Sequence, residues 1–237
     1  MSLSAFDWNG VAMTLPRRSL QVRRRRAPDA ITAQGGTENR FLDALRDLMI
    51  ERDTLDIAVS DVARRLELNH ALVGYYFGNK EGMLMALLRR GTENTPQWLD
   101  YLLSSNRTPA EKLTVHLRGM VNSYAETPII GVLTDFLLKT GAPKTVAEVT
   151  QLIVRPLTDF YEKVILEGVE KRAFRAVDPM FLHMQIVGTC NYLFFNRERL
   201  RIGYGVTQIS PALRNQYLEF LTDSVLRAVA LGPRDPA

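Results

Sequence analysis

Apolar residues recur at helical spacing along most of the chain. Near the start, over residues 36–52, they fall at i, i+1, i+4, i+7 and i+8, where they are Phe41, Leu42, Leu45, Leu48 and Met49. No stretch shows the alternation typical of a half-buried strand. The pattern predicts an all-α protein whose first ordered helix covers residues 36–52, with Thr37 as its cap.

Three short helical pieces follow between residues 57 and 87. Ser60, Asn69 and Asn79 each precede one piece and are candidate N-caps, because their side-chain oxygens can accept a hydrogen bond from the first turn. Two short helices joined by a few residues match a helix-turn-helix. Residues 36–90 are therefore predicted to form a three-helix DNA-binding domain.

The second of these pieces has two distinct faces. One face is predicted to pack inward and carries Leu72, Val73 and Tyr76. The other is small and uncharged, and it carries His70, Ala71, Gly74 and Tyr75. Small side chains allow a helix to approach a groove closely, and His and Tyr can hydrogen-bond to base edges.

This region resembles the DNA-binding domain of the TetR family of transcriptional regulators. The resemblance covers roughly residues 36–90 and rests on the tracts Ser60-Asp61-Val62-Ala63, Leu68-Asn69, Tyr75-Tyr76-Phe77 and Lys80-Glu81. The sequence departs from the family pattern at Glu67, where Gly is usual in the turn, and at Gly74, where many members carry an aromatic residue or histidine. The resemblance implies that the protein binds a double-stranded DNA operator. The candidate DNA-binding residues are Ser60, Asn69, His70, Ala71, Leu72, Gly74, Tyr75, Tyr76 and Lys80.

Beyond residue 90 the chain repeatedly places a capping residue before proline, a pair that marks helix starts. The helices predicted from these pairs are 96–105, 109–125, 128–139, 144–171, 179–199 and 211–230. Pro156 should kink or split the longest of them. The domains are thus predicted as a basic arm at 1–35, a helix-turn-helix domain at 36–90, and a helical effector-binding and dimerisation domain at 91–237.

Helices 179–199 and 211–230 each carry a wide apolar stripe. The stripes fit either an association surface or ordinary core packing within one chain. The resemblance implies a homodimer formed by the last two long helices of each subunit. Such a dimer would read two half-sites about 34 Å apart.

The central helices are expected to enclose a chamber for a small-molecule effector that is unknown, apolar or amphipathic in character. Sites of this kind are mostly apolar, with few polar groups. Core packing is the alternative for any aromatic or Met residue at helical spacing. The candidate lining residues are Trp98, Met120, Tyr124, Phe136, Tyr161, His183 and Asn191.

The positive charge is concentrated at the start of the chain. Residues 1–35 contain six arginines and two aspartates, a net charge of +4, which is also the net charge of all 237 residues. The proline and glycine content of this arm predicts disorder. It is either a basic arm that contacts phosphates or the minor groove, or a solvated tail upstream of a start at Met13.

Other functional classes find little support in the sequence. No apolar run reaches the roughly 18 residues of a membrane span, no secretory signal is evident, and a single cysteine, Cys190, suits a reducing cytoplasm. His70, His116 and His183 match no metal-binding spacing, and the nucleotide-binding and nucleophile motifs of enzymes are absent from the sequence. We therefore expect no cofactor, no metal and no enzymatic activity. The alternative function is a helical interaction protein that has lost specific DNA binding.

Overall fold

The structure is a computed structural model that describes the backbone of residues 30–231 and the side chains of residues 36–231. The chain divides into two units, Met1–Gly36 and Thr37–Ala237. The predicted basic arm at 1–35 and the alternative start at Met13 lie outside the described side chains. The second unit contains two hydrophobic cores.

The described residues form α-helices, one π-helical segment at Thr150–Val154, and no strand beyond an isolated bridge between Phe174 and Ala230. The predicted all-α class is confirmed. None of the described helices is both long and apolar enough to cross a membrane. In chain order the helices are α1 Ala30–Arg52, α2 Val59–Arg65, α3 Ala71–Phe77, α4 Lys80–Thr92, α5 Thr95–Ser104, α6 Pro109–Glu126, α7 Ile129–Thr140, α8 Pro143–Val149, α9 Arg155–Glu170, α10 Pro179–Phe195, α11 Arg197–Tyr204 and α12 Pro211–Val229.

Several helices begin where a local capping bond fixes the first turn. Thr108 and Glu111 form the predicted capping box of α6, in which the Thr108 N–H donates to Glu111 Oε2 at 2.8 Å and the Glu111 N–H donates to Thr108 Oγ1 at 3.3 Å. Asp178 caps α10 by accepting from the Met180 N–H at 2.8 Å. Ser210 caps α12 by accepting from the Leu213 N–H at 3.2 Å.

Other predicted helix starts are wrong. α1 begins at Ala30, so Thr37 lies inside the helix and does not cap it. α2 begins at Val59 after Ala58, so Ser60 lies in its first turn. Helix propensity and capping preference are weak constraints that neighbouring packing overrides, and Ile57, fully buried just before α2, fixes where the chain enters that helix.

The predicted long helix 144–171 is interrupted, as expected, next to Pro156. α8, the π-helical segment and α9 follow one another directly, and Pro156 is the second residue of α9. Proline lacks an N–H and its ring clashes with the carbonyl four residues earlier. The wider π turn takes up this mismatch without ending the helix.

The predicted helix 179–199 is divided as well. α10 ends at Phe195, and Arg197 begins the separate helix α11. Gly205 closes α11 in the left-handed region at φ 67°, where glycine has no steric cost.

The two cores define a head, α1–α4, and a body, α5–α12. The head core is built on α1 and α4 and extends into the body, because Ile129, Leu133 and Leu137 of α7 and Val149 of α8 belong to it. The body core joins buried side chains of α5, α6, α9, α10 and α12. The predicted boundary at residue 90 falls inside α4 and stays a prediction.

One charged side chain is buried in the body. The Lys112 ammonium donates to the Leu103 carbonyl at 2.6 Å and to Glu167 Oε2 at 2.8 Å, which ties together the end of α5, α6 and α9. Glu167 also accepts from Lys171 at 2.6 Å. Burial alone would raise the pKa of Glu167, but the hydrogen bonds from the two lysines lower it below its ordinary value.

We expect Glu167→Gln to lower the free energy of unfolding at pH 7 by roughly 2–3 kcal/mol, because it leaves the buried Lys112 without its counter-charge. Since the folded pKa of Glu167 is depressed, the stabilisation is present above the ordinary glutamate pKa and is lost as the pH falls through the folded value. Urea titrations followed by circular dichroism would measure this. Glu162→Gln, an exposed change on the same helix, should have almost no effect, and equal losses in both variants would contradict the role of the pair.

Candidate DNA-binding surface and effector cavity

The turn between α2 and α3 is tightly hydrogen-bonded. The Leu68 N–H donates to the Ala63 carbonyl at 2.9 Å and the Glu67 N–H to the Arg64 carbonyl at 3.1 Å. Glu67 has φ 55°, a left-handed conformation that favours glycine. The sequence thus departs from its family pattern at a position where the backbone is strained, and the surrounding bonds hold the turn nevertheless.

The side chain of Asn69 organises the start of α3. Its Oδ1 accepts from the Ala71 N–H at 2.9 Å, and its carbonyl accepts from the Leu72 N–H at 3.1 Å. The predicted capping interaction of Asn69 is therefore present, although the helix proper begins two residues later. Asn69 holds the helix in place through this bond, and its side-chain oxygen is engaged.

The two faces of α3 point as the spacing predicts. Val73 is fully buried, and Leu72 and Tyr76 are half-buried against the head core. The exposed face consists of His70, Ala71, Gly74 and Tyr75, and Tyr75 is 70% exposed. An alanine Cβ at Gly74 would meet nothing within 4 Å. Packing within the chain therefore does not require glycine there.

Aromatic rings fix the orientation of α3 on α1. The rings of Tyr76 and Phe77 lie 6.2 and 6.1 Å from Phe41, which is fully buried. Tyr75 meets Tyr76 edge-on at 5.1 Å. Edge-to-face contacts of this kind add about 0.5–1.5 kcal/mol each beyond the buried area. The exposed face of α3 is thus presented by a rigid support.

The turn from α3 to α4 depends on a glycine that periodicity did not single out. Asn79 caps α4 as predicted, since its Oδ1 accepts from the Gly82 N–H at 2.8 Å. A Cβ at Gly82 would lie 2.0 Å from the Phe77 carbonyl oxygen. Only a residue without a side chain allows this close approach. The Gly82 contact depends on the geometry of the turn between Phe77 and α4, which helical periodicity does not describe.

Charged side chains surround the exposed face of α3. Lys80 at the start of α4 pairs with Asp56 at 2.9 Å, and Asp56 is almost fully exposed. Asp61 accepts from Arg52 at 2.6 Å and from Arg64 at 2.5 Å, and these bonds lower its pKa. Arg64 keeps a side chain that is 75% exposed. Solvated ion pairs are worth little, so both Lys80 and Arg64 can exchange their partner for a phosphate.

A cavity of about 140 Å³, here called the core cavity, lies between the central helices. Three of the seven predicted lining residues, Met120, Tyr124 and His183, border it. The other residues that border it are Gly91, Thr92, Thr95, Ser123, Thr127, Ile130, Gly131, Thr134, Asp135, Leu138, Ile153, Val154, Leu157 and Val187. The cavity thus reaches from the end of α4 to α10.

The remaining four candidates lie elsewhere. Phe136 is 37% exposed, and Trp98 packs against the body core beside Tyr101. Tyr161 is fully buried, with its hydroxyl 2.8 Å from His116 Nε2. Asn191 lies against Gly131 rather than at the cavity wall. Helical spacing identified the face of each residue but not the neighbour that this face meets.

His116, which is buried, and His183, which is half-buried, differ in their partners. Burial and the nearby His183 lower the pKa of His116 to about 3, so it is neutral and bonded to Tyr161. Burial also lowers the pKa of His183, against an opposing effect of Asp135. Its Nδ1 is buried with no hydrogen-bond partner in the described structure. His183 therefore offers an unused polar atom at the core cavity.

Cys190 is buried, and burial raises the pKa of its thiol to about 12, so the thiol is unreactive. Among the described residues, no group of three or more His, Cys, Asp or Glu side chains could hold a metal ion.

α7 forms a wall shared by the head and the core cavity. Ile129, Leu133 and Leu137 are buried in the head core. Thr134 lines the cavity, and Ile130 lines the cavity while it also packs against the head core. Helical spacing separates these two faces on one short helix.

Two polar contacts also bind α4 to α8. Glu81 accepts from the Ala142 N–H at 2.8 Å, and Arg89 forms a two-pronged ion pair with Glu148, in which Nη2 lies 2.7 Å from Oε2. No local pattern indicated these contacts, because their partners lie 61 and 59 residues apart.

A rigid helix-turn-helix head on a helical body with an internal cavity defines the class of DNA-binding transcriptional regulators. Residues 41–87 match the family described as bacterial regulatory proteins of the tetR family, and residues 106–235 match the tetracyclin repressor-like C-terminal domain. The second match covers more than half of the chain, which therefore belongs to the TetR family of DNA-binding regulators, a family without enzymatic activity.

The HTH-type transcriptional regulator BetI of Brucella anthropi is 24% identical over 99 residues, which is 41% of this chain and 51% of that protein. The chain thus matches about half the length of this curated relative.

Solved structures with low identity share the fold. A tetR-family regulatory protein from Rhodococcus RHA1 has a TM-score of 0.65 at 14% identity, covering 82% of this chain and 97% of that one. PfmR from Thermus thermophilus has a TM-score of 0.63 at 20% identity, covering 79% and 97%. FadR from Bacillus subtilis, solved in complex with stearoyl-CoA, has a TM-score of 0.57 at 18% identity, covering 78% and 97%.

We expect Gly82→Ala to destabilise the protein by about 1–3 kcal/mol, because the added methyl group collides with the Phe77 carbonyl. Gly74→Ala is the matched control on the neighbouring helix. It should stabilise the protein by about 0.5–1 kcal/mol, since its Cβ enters open space in an exposed helix. Thermal and urea unfolding would measure both changes. Equal effects in the two variants would refute the close approach at Gly82.

Proposed function

We propose that the protein is a homodimeric, sequence-specific repressor that leaves its operator when a small molecule binds in the core cavity. The observation that supports this most strongly is α7, whose one face belongs to the head core and whose other face lines the cavity. We assign DNA binding to residues 36–90 and effector binding and dimerisation to residues 91–237. The protein would act on the genome in the cytoplasm.

In this proposal α3 of each subunit enters a major groove. His70, Ala71, Gly74 and Tyr75 face base edges, and the Ala71 methyl group suits contact with a thymine methyl. The bare backbone at Gly74 allows a closer approach than any side chain would. Ser60, Tyr76 and Lys80 contact the phosphate backbone, with Arg64 as an addition from the structure. Asn69 and Leu72 hold the helix in position.

Dimerisation is assigned to α10 and α12. Phe181, Met184 and Tyr192 of α10 are exposed at spacings of three and eight residues, around Gly188, whose Cβ position is open. Phe220 of α12 is 71% exposed. Exposed apolar side chains that follow one helix face are typical of an association surface. The same stripe would serve a different partner in the alternative function, a helical interaction protein.

The effector would be apolar or amphipathic. The core cavity combines apolar side chains, such as Met120, Leu138 and Leu157, with polar ones that include Tyr124, Asp135, His183 and several Ser and Thr hydroxyl groups. Its volume of about 140 Å³ is below the ~300 Å³ at which drug-sized ligand sites begin. A bound effector must therefore enlarge the cavity, which displaces its α7 wall. FadR, which shares this fold, was solved with stearoyl-CoA, and this supports an effector with an acyl chain.

Displacement of α7 would change the position of the head on the body, because the same helix packs in the head core. The Glu81–Ala142 and Arg89–Glu148 contacts extend this coupling to α4. The ligand shifts the equilibrium between two spacings of the heads only by its difference in affinity for them.

The operator would be identified by selecting genomic fragments on the purified protein at moderate salt. A selected palindrome with half-sites about one helical turn apart would support a dimer that recognises both half-sites. Salt-sensitive binding without a sequence motif would favour the alternative function, a helical interaction protein.

We expect Tyr75→Ala to weaken binding to the selected operator by roughly 1–3 kcal/mol, the contribution of one good base contact, while the dimer remains intact. Gly74→Ala should also weaken operator binding, although it stabilises the fold, because its methyl group intrudes on the groove. Fluorescence anisotropy would measure the affinities. Tyr101→Ala, which removes an exposed tyrosine of α5, is the control. Unchanged operator affinity in Tyr75→Ala and Gly74→Ala would refute the assigned face of α3.

We expect Met184→Asp to convert the dimer to monomers, because a carboxylate in an apolar helix–helix interface is desolvated without a partner. Sedimentation velocity would detect the change in mass. Leu166→Asp places the same charge on an exposed apolar position of α9 and should leave the dimer unchanged. A dimer that persists in Met184→Asp would exclude this α10 face from the interface.

A further inference from the structure

A second cavity lies where the head meets the body. This junction cavity has a volume of about 190 Å³, and its walls come from the end of α1, the following loop, the start of α7 and the end of α10. Its apolar lining includes Met49, Leu55, Val132 and Phe194. It is separate from the core cavity, since the residues that border the two cavities do not overlap.

Two charged side chains of opposite sign border the junction cavity. Asp53 comes from the head and Arg197 from the body. Both residues are exposed to solvent, and among the described residues neither side chain forms a hydrogen bond or an ion pair with the other or with a neighbour. By contrast, other described arginines that lie near acidic groups are paired, such as Arg52, Arg64 and Arg201.

Both charges occupy positions that oppose the local helix dipoles. Asp53 directly follows the carboxyl end of α1, where a negative charge is unfavourable, and its φ of 49° is left-handed. Arg197 is the first residue of α11, the end of a helix that attracts anions rather than cations. Residues that break local rules without a compensating contact within the chain are expected at functional sites.

Arg197 also borders an adjoining cavity of about 240 Å³. That cavity shares Pro128 and Phe194 with the junction cavity, and Arg197 is its only charged lining residue among those described. Its other walls include Leu200, Val206 and Ile209. Arg197, which is exposed to solvent, therefore borders both cavities, whereas Asp53 borders only one of them.

We propose that this composite cavity is a second small-molecule site, which binds an amphipathic carboxylate. The carboxylate forms charged hydrogen bonds with Arg197, and the apolar part fills the space between Val132 and Phe194. Asp53 repels the carboxylate from the head side, so the ligand has one orientation. Because the site includes Met49 and Leu55 of the head and Val132 of α7, occupancy fixes the head against the body.

Calorimetric titration of the full chain with octanoate, octylammonium and octan-1-ol tests this proposal directly. Octanoate should bind at least about tenfold more tightly than the cation or the alcohol. Arg197→Gln should weaken octanoate binding about tenfold or more, as expected when a charged hydrogen bond is lost. Asp53→Asn should tighten it by removing the repulsion.

Two matched controls make the result specific. Arg199→Gln removes the same charge from the same short helix but from a residue that borders neither cavity, and it should leave octanoate binding unchanged. Val132→Trp, which fills the junction cavity, should abolish binding, whereas Val187→Trp in the core cavity should not. Melting curves confirm that each variant is folded.

Several outcomes would overturn the assignment: no octanoate binding at millimolar concentration, equal binding of octylammonium, equal effects of Arg197→Gln and Arg199→Gln, or loss of binding in Val187→Trp but not in Val132→Trp. The measurement needs no operator, so its failure is distinguishable from a failure of DNA binding.

Discussion

The insertion of α7 into the head core is the interaction on which the rest of the structure depends. Ile129, Leu133 and Leu137 are all buried there. Burying one such side chain contributes about 1.5–3 kcal/mol, so separating head from body would cost roughly 5–9 kcal/mol. That approaches the whole stability of a typical domain. The head therefore does not detach from the body without unfolding.

The polar contacts between head and body contribute much less free energy than this apolar packing. The Arg89–Glu148 pair and the Glu81–Ala142 bond lie at the surface, and solvated pairs contribute about 0–1 kcal/mol. The binding free energy of a small ligand is large enough to break such contacts. The head is thus attached by strong apolar packing and oriented by weak polar contacts. In the proposed function, this combination would let the angle of the head change while the exposed face of α3, held by Phe41 and Gly82, keeps its shape.

The sequence predicted correctly those features that depend on residues close together along the chain. The caps Thr108, Asp178 and Ser210, the two faces of α3 and the irregular helix geometry next to Pro156 all depend on residues close together in the sequence. The predicted starts of α1 and α2 were wrong, because packing outweighs weak end preferences. Four of the seven proposed cavity residues lie elsewhere, since periodicity assigns a helix face but not its neighbour. The role of α7 as a shared wall and the positions of Asp53 and Arg197 at one cavity depend on contacts distant in sequence. Gly82 instead contacts Phe77 in the adjacent turn, a close approach that helical periodicity does not detect.

The π-helical segment at Thr150–Val154 sets the rotational phase between α8 and α9. A π turn holds about one residue more than an α turn, and one residue corresponds to about 100° of rotation in an α-helix. Glu148 therefore faces Arg89 on one side of this segment while Leu157 faces the core cavity on the other. If the extra residue migrated along the helix, or the turn tightened to an ordinary one, α8 would rotate relative to α9. The segment thus sets which faces of α8 and α9 meet the head and the core cavity.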